Sequence, residues 1–430
     1  MKEDFKAGVG LSRKWDAREA GREVAETALE KLDGEKPKFF LLFSTIHYEK
    51  YGGFQELLNG VWEVLPEGTP LIGGTVGGFV NNCGCFTRGV TALTVAYPNM
   101  DTIVGIGSNT KRSPKKAGKE CAVTIRKGLE KTLFKNKFLI SMVSGAKTPN
   151  FAGIGRKKVV NVPTGKYISR LLQMSTITLQ YGVARSQKVF REMDKYLEDF
   201  YIIGGETTDN NEVRENYQFA GKKVYSNEIV AIGVSTDLGI NLIKTYDVGR
   251  KMKNVVRITE KSAWNHIICK INDKPARKEL LRILRWPDEY IDERIYRRIF
   301  FYPVGCPDSP TLDPHVMGAF WGDYIILEYP LKGSRIGFLE YSGETLRKSL
   351  QTVVDKLSTG EHYLGIAVAC ISSIETLGKS VYVIQERLNK VFREAPFLLL
   401  YVAGEDIKYP NSPALHMNYS FNMLTLGTHS

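Results

Sequence analysis

The order of apolar and polar residues along the chain describes a repeated unit. An apolar run at 38–45 predicts a buried strand, helically spaced apolar positions at 53–65 predict a helix, and "TPLIGG" at 69–74 predicts a second strand that ends at a glycine turn. Two alternating segments, 89–97 and 101–108, then predict an antiparallel hairpin. The unit is therefore two parallel strands joined by a helical crossover, followed by a hairpin.

Two later segments follow the same order. The second copy has strands at 137–145, 228–237 and 240–246, a helix at 189–200, and the strand and glycine turn "YIIGGETTDNN" at 201–211; its last two strands are predicted as a hairpin. The third copy has a strand at 364–373, a helix at 380–394, and the strand and glycine turn "FLLLYVAGED" at 397–406, and its hairpin is expected to be cut short by the C-terminus at 419–428. Between these copies, residues 250–345 predict a strand pair with a turn at "INDKPA" and then a helix.

Repeated crossovers mixed with hairpins predict an α/β fold with mixed sheets flanked by helices. We expect two modules, residues 1–235 and residues 236–430. Before the first strand, residues 16–32 predict a helix that begins at the capping residue Asp16.

Composition favours an ordinary soluble protein of 430 residues, with 43% hydrophobic and 25% charged residues. The chain has no apolar run of membrane-spanning length, and its charged beginning lacks a signal-peptide pattern, so we expect a cytoplasmic protein without a membrane partner. Six cysteines are too sparse for a disulfide scaffold, and Cys83-Gly-Cys85 lacks a second pair for zinc. No metal and no cofactor are expected.

A net charge of +12 raises the possibility of nucleic-acid binding, so the placement of the charge matters. The basic residues form short clusters at 110–119, 155–158, 274–285 and 292–300. Most of these clusters alternate with apolar positions as on the solvated face of a helix, and 155–158 is interpreted as a basic loop. A nucleic-acid partner is therefore unlikely.

The glycine turns that end the strands are the candidate site. Successive amides at such a turn can bind a carboxylate or phosphate, and glycine is needed there for positive φ or for close approach of a ligand. The neighbouring carboxylates Glu206, Asp209 and Glu405 favour an ammonium or hydroxyl group, so a small polar ligand such as an amino acid would fit both. The candidate binding residues are Gly73, Gly74, Thr75, Gly77, Gly204, Gly205, Glu206, Thr207, Asp209, Cys370, Gly404, Glu405, Asn418 and Ser420.

Three other interpretations remain open. The first is that the turns repeat for packing alone, and His47 and His416 are more typical of surface or capping residues than of catalytic ones. An enzyme would use Glu206 or Glu405 with a loop histidine or cysteine, and this is the less favoured alternative. A scaffold whose ligand site has decayed is the third.

Taken in order, these segments resemble the FIST family of two-part sensory domains. "GGTVGGFV" (73–80) and "GGETTDN" (204–210) stand at its two glycine turns, and "INDKPA" places Asp273, Pro275 and Ala276 in register with a family segment. "VACISS", "AGEDI" and "HMNYSF" resemble its C-terminal motifs. The resemblance implies a sensor of a small ligand of amino-acid type.

The chain departs from the family pattern at three places. Gly74 replaces a frequent cysteine, Gly78 replaces the usual glutamate, and Ser372 or Ser373 replaces an arginine. These departures imply a different ligand or a reduced site. The sequence has no kinase, receptor or F-box pattern, so we expect the output to act in trans through a protein partner.

Overall fold

The computed structural model describes residues 4–148, 150–151, 155–160, 185–249, 251–262, 265–309, 314–357 and 360–428. Strands and helices are numbered below in chain order.

Three six-stranded sheets share one strand order: two antiparallel strands, two parallel strands and a terminal hairpin. The sheet of unit 1 contains β1 (Lys6–Ser12), β6 (Val90–Ala96), β2 (Phe39–Ser44), β3 (Leu71–Thr75), β13 (Gln218–Ala220) and β14 (Lys223–Tyr225). The sheet of unit 2 contains β7 (Met100–Ser108), β15 (Glu228–Thr236), β8 (Asn136–Ser144), β12 (Tyr201–Thr207), β26 (Glu405–Lys408) and β27 (Leu415–Met417). The sheet of unit 3 contains β16 (Gly239–Tyr246), β28 (Ser420–Gly427), β24 (His362–Cys370), β25 (Phe397–Val402), β4 (Gly78–Asn81) and β5 (Gly84–Phe86).

Helices flank these sheets, which confirms the predicted α/β class. Unit 1 carries α1 (Ala17–Glu30) and α2 (Phe54–Trp62), unit 2 carries α3 (Pro114–Gly128) and α4 (Ser186–Asp194), and unit 3 carries α7 (Gly343–Leu357), α8 (Ser372–Leu377) and α9 (Val381–Phe392). The predicted cap is present, because the Asp16 carboxylate accepts a hydrogen bond from the Glu19 amide at 3.0 Å. The three predicted pairs of parallel strands are also confirmed: β2 with β3, β8 with β12, and β24 with β25.

The predicted hairpins at 89–108 and 228–246 are wrong. Strand β6 pairs with β1 and β2, whereas β7 pairs with β15 in the next sheet. Strands β15 and β16 separate in the same way, since β16 pairs with β28. Each short connection crosses from one unit to the next, and strand alternation alone does not distinguish such a crossing from a hairpin turn.

The expectation that the C-terminus cuts the third copy short is also wrong. Strand β28 pairs with both β16 and β24, so it completes unit 3 as β6 completes unit 1 and β15 completes unit 2. The true hairpins are the short strand pairs that follow each glycine turn, and each pair joins the sheet of a different unit. Hairpin β4–β5 pairs with β25, β13–β14 pairs with β3, and β26–β27 pairs with β12.

Residues 252–339, here called the insert, lie between β16 and α7 of unit 3 in the sequence and contribute most strands of a further sheet. The sheet contains β11 (Val159–Val160), β17 (Met252–Lys261), β18 (Ile267–Ile271), β19 (Lys274–Pro275), β20 (Val304–Gly305), β21 (Met317–Trp321), β22 (Tyr324–Leu327) and β23 (Arg335–Leu339), and the insert adds α5 (Ala276–Leu284) and α6 (Tyr296–Ile299). The predicted strand pair is β17 with β18, and the predicted helix is α5. A separate two-stranded ribbon pairs β9 (Asn150–Phe151) with β10 (Gly155–Arg156).

The inner faces of the three sheets share one apolar core. Leu41 on β2, Ile140 on β8 and Leu398 on β25 are fully buried or nearly so within it. The outer faces pack against helices instead, as Leu42 does beneath α1 and α2. The three units are thus stabilised by one shared apolar core. The expected boundary between two modules, at residues 235 and 236, stays a prediction. Among the described residues, no helix has the length and apolarity that a membrane crossing requires.

Because Leu398 lies in the common core, we expect Leu398→Ala to lower the free energy of unfolding by about 2–5 kcal/mol and to keep a single transition. Guanidinium unfolding followed by both tryptophan fluorescence and circular dichroism measures this. Leu57→Ala, in the outer layer of unit 1, is the matched comparison. Two separated transitions in Leu398→Ala would show that the units unfold independently.

Candidate functional site

The three glycine turns meet at the ends of β3, β12 and β25 and hydrogen bond to one another. The bonds run from Thr208 N to Thr75 O (3.0 Å), from Ala403 N to Glu206 O (3.2 Å) and from Gly77 N to Tyr401 O (2.9 Å). These three bonds form a ring around the turns, and Glu206 N donates a further bond to Gly404 O at 2.9 Å. We call this arrangement the central junction.

Close packing explains the glycines of the junction. None of the candidate glycines has positive φ. A Cβ atom at Gly205 would lie 2.6 Å from the Gly404 carbonyl oxygen, and one at Gly77 would overlap Ile371. The expectation of positive φ is therefore wrong, and the close approach comes from another unit of the same chain. The amides of Thr75, Gly77 and Glu206 are already engaged in backbone hydrogen bonds.

The candidate residues of the first turn, and Gly204 of the second turn, belong to the junction itself. Gly73 and Gly204 lie directly on the backbone of a neighbouring strand, and Gly74 packs against Thr207. The Thr75 hydroxyl accepts a hydrogen bond from the Tyr217 amide at 3.0 Å. These positions have packing contacts that account for their residue types.

Thr207 and Asp209 have structural partners within unit 2. The Thr207 hydroxyl lies 2.9 Å from Asn216 Oδ1, and it accepts a hydrogen bond from Gln218 Nε2 at 2.6 Å. The Asp209 carboxylate accepts hydrogen bonds from the backbone amides of Val213 (2.9 Å) and Arg214 (2.7 Å). Asp209 therefore fixes the loop after the second glycine turn.

The remaining candidates gather between units 2 and 3. Glu405 is fully buried and accepts hydrogen bonds from the Ser420 hydroxyl (2.8 Å) and the Ser420 amide (3.1 Å). Asn418, two residues before Ser420, is 4% exposed. Cys370 ends β24, where its sulfur accepts a hydrogen bond from the Ser372 hydroxyl at 3.0 Å. Burial and the nearby Glu405 raise the pKa of the Cys370 thiol well above its usual value.

Glu206 begins a buried row of charged groups that the sequence did not indicate. Its Oε1 atom accepts hydrogen bonds from the Ser186 hydroxyl and from the Tyr329 hydroxyl, the latter at 2.5 Å. His416 Nε2 lies 3.6 Å from the same oxygen, and His416 Nδ1 lies 2.6 Å from Asp406 Oδ1. The histidine is thus held between two carboxylates.

Electrostatics keep His416 protonated at neutral pH. Burial alone lowers the pKa of His416, but Asp406 and Glu206 beside the ring raise it to about 9. Its side chain is only 2% exposed, so the interpretation of His416 as a surface or capping residue is wrong. Asp406 and His416 lie directly opposite one another on β26 and β27, and this pairing orients the ring.

A cavity of about 140 Å³ lies beside this row. Its inner wall is formed at the carboxyl ends of parallel strands, by Ala146 after β8, Thr208 after β12, Cys370 on β24 and Ala403 after β25. The insert forms the opposite wall, which is largely apolar. Ligands of α/β proteins commonly bind at this end of a parallel strand pair.

Two buried lysines line the cavity. Lys147 pairs with Glu215 at 2.7 Å. Lys158 is 7% exposed, donates to the Asn211 carbonyl at 2.5 Å and lies 4.3 Å from the centre of the Tyr296 ring. Among the described residues, no carboxylate oxygen lies within 4 Å of the Lys158 ammonium. Burial lowers the pKa of Lys158 to about 8, although Asp209 opposes this shift.

The assignment of the basic clusters to solvated surfaces is therefore wrong at two positions. Lys158, in the cluster interpreted as a basic loop, and Lys111, in the cluster at 110–119, are 7% and 6% exposed. Burial lowers the pKa of Lys111 to about 7. Charge clustering in a sequence does not show which single lysine turns inward.

Glu328 lies on the wall that the insert contributes. It follows β22 directly, is half-buried as a residue, and lines the cavity. Burial raises the pKa of Glu328 to about 8, and repulsion from Glu206 adds to the shift. The cavity therefore has lysine ammonium groups on one side and a titratable carboxyl group on another.

Comparison with known protein families decides the assignment. The family model of the FIST N domain matches residues 38–274, more than half of the chain. The chain belongs to the FIST family. FIST domains are sensory domains of signal transduction. The match ends within the insert, so a C-terminal FIST module at residues 236–430 stays a prediction.

Other comparisons add little to the FIST assignment. No curated protein sequence matches the chain. A solved structure that shows similarity is a cyanuic acid hydrolase from A. caulinodans, with 7% sequence identity and a TM-score of 0.29 over 55% of this chain and 72% of that one. Similarity of this size supports no inference about activity.

Sequence reasoning missed five residues of this candidate site: Lys147, Lys158, Glu328, Tyr329 and Asp406. Only the pair formed by Asp406 and His416 had a signal, because the two residues would face each other once 405–417 was recognised as a hairpin. Glu328 and Tyr329 come from the insert, whose position over the strand ends has no counterpart in the repeat. Ser372 and Ser373, at the family's arginine position, hydrogen bond with Tyr341.

Packing at Gly404 is tight enough to test. A Cβ atom there would lie 2.7 Å from the His416 ring and 2.9 Å from the Tyr329 hydroxyl. We expect Gly404→Ala to lower the free energy of unfolding by about 1–3 kcal/mol in chemical denaturation. Gly343→Ala, where the added methyl group meets no atom within 4 Å, is the control. Equal stability of both variants would contradict the packing argument.

Glu328 should make stability depend on pH. Its folded-state pKa of about 8 exceeds the unfolded value, so its stabilising effect is complete below pH about 4.5 and is lost as pH rises towards 8. Relative to Glu328→Gln, which stays neutral, the wild type should lose at most about 1.4 kcal/mol per pH unit across this window. Denaturant unfolding from pH 5 to pH 8 measures the difference, and parallel curves would exclude a raised pKa.

Proposed function

We propose that this FIST protein senses a small molecule that carries both a carboxylate and an ammonium group, an amino acid in type. The cavity between the insert and the strand ends of units 2 and 3 is the proposed binding site. The observation that carries the proposal is Lys158, a buried ammonium group on the cavity wall without a carboxylate partner among the described residues. A buried charge is costly unless it is paired, and a ligand carboxylate would supply the pair.

The opposite charge preference comes from Glu328. This carboxyl group faces the same cavity, and with a pKa of about 8 it is mostly protonated at neutral pH. An ammonium group nearby would favour its carboxylate form and so release a proton. Two members of the buried row act on this charge, since Glu206 raises the pKa of Glu328 and His416 lowers it.

The alternatives have less support. A nucleophilic enzyme would need an activated thiol, but the pKa of Cys370 is raised and its sulfur contacts Ser372. A scaffold would fill the space between the units with side chains, whereas the cavity leaves about 140 Å³ there.

A cytoplasmic location and a protein partner that receives the signal are part of this proposal. All six cysteines are free thiols, as a reducing compartment requires. The insert forms one wall of the cavity and also presents Val255, Tyr290 and Phe301 to solvent, with exposed fractions of 46%, 43% and 38%. A ligand that contacts the insert would thus act on the same element that presents a surface for a partner in trans.

Thermal shift with a panel of L-amino acids and small carboxylates tests the site. A ligand at about 100 times its dissociation constant should add about 2.7 kcal/mol of stability. We expect Lys158→Met to abolish the shift because the carboxylate loses its partner. Lys116→Met, on the exposed face of α3, is the control and should leave the shift unchanged. Equal thermal shifts in both variants would show that Lys158 does not bind the ligand.

Proton release tests the role of Glu328 separately. We expect ligand binding near pH 7 to release up to one proton in the wild type and less in Glu328→Gln. Calorimetric titrations in two buffers with different ionisation enthalpies measure the number of protons. Identical proton release in the wild type and Glu328→Gln would show that Glu328 does not face the ligand's ammonium group.

A further inference from the structure

The charged groups of the cavity do not determine the polarity of the ligand's side chain. The wall that the insert contributes bears on this property. Most of its lining side chains are apolar, among them Ile295, Ile299, Phe300, Val316, Met317 and Trp321. All six belong to the insert and are buried, with exposed fractions of 8% or less. Glu328 is the one charged side chain among these lining residues of the insert, whereas Lys147 and Lys158 line the cavity from outside the insert.

We propose that the ligand is an amphipathic amino acid whose side chain is apolar and contacts the insert. This inference rests on the proposed function and specifies its ligand class. Apolar cavities of about 150 Å³ can hold an apolar group of about six carbon atoms, and this cavity has about 140 Å³. A polar side chain would lose its hydrogen bonds to water against this wall and find few new ones.

Val316 and Ile299 are the specificity-determining residues on this wall. Val316 is 8% exposed and Ile299 is 2% exposed, so both are held by the fold and present apolar atoms to the cavity. Their branched side chains have few rotamers, which gives the wall a fixed shape. The wall should therefore distinguish between ligand side chains of nearly equal size by their polarity.

Two pairs of ligands with similar shape test this inference by calorimetric titration of the wild-type chain. L-leucine is compared with L-asparagine, and L-valine with L-threonine, so that size stays nearly constant while polarity changes. We expect leucine to bind at least about tenfold more tightly than asparagine, and valine more tightly than threonine. In Val316→Thr the preference for leucine should shrink severalfold. If Val316→Thr does not unfold cooperatively, Ile299→Val, a milder change, replaces it as the test variant.

The outcomes separate the inference from the function on which it rests. Equal or tighter binding of asparagine, with binding still lost in Lys158→Met, would overturn the apolar preference and leave the amino-acid sensor in place. Absence of binding by all four amino acids would overturn both. An unchanged preference for leucine in both wall variants would show that the insert does not cause this preference.

Discussion

The exchange of hairpins between units is the constraint on which the rest of the structure depends. Each sheet is completed by the hairpin of another unit, so none of the three is whole without its neighbours. The glycine turns are the points from which these hairpins leave their own unit. Their backbones therefore converge, and the hydrogen bonds of the central junction follow from that convergence. A shared apolar core inside the three sheets then stabilises the arrangement.

This constraint explains why similar turns occur three times and why they do not all bind a ligand. At the junction, backbone meets backbone, and glycine is required because a Cβ atom would enter the neighbouring unit. The symmetry is broken by the insert, which covers the strand ends of units 2 and 3. There the structure pairs a cavity with two buried lysines and a carboxyl group. The proposed ligand site thus lies beside the central junction, and the junction supports it.

The sequence predicted the local parts of this fold well. Periodicity located the strands and helices, and the Asp16 cap and the parallel strand pairs are confirmed. Pairing between units was not predictable, because "YPN" between β6 and β7 has the length of a hairpin turn although it joins two sheets. The site shows the same limit. Glu206 and Glu405 could be selected as buried carboxylates after glycine turns, but Lys158 and Glu328 acquire their meaning only from the position of the insert.

A crystal structure of the protein with L-leucine bound would test the central claim most directly. The account predicts electron density in the cavity, with the carboxylate of the ligand at hydrogen-bonding distance from Lys158 and its side chain against the insert. The three backbone hydrogen bonds of the central junction should remain as they are. Density at the turn amides around Gly74 and Gly77 or around Gly204 and Gly205, with the junction opened, would contradict the account.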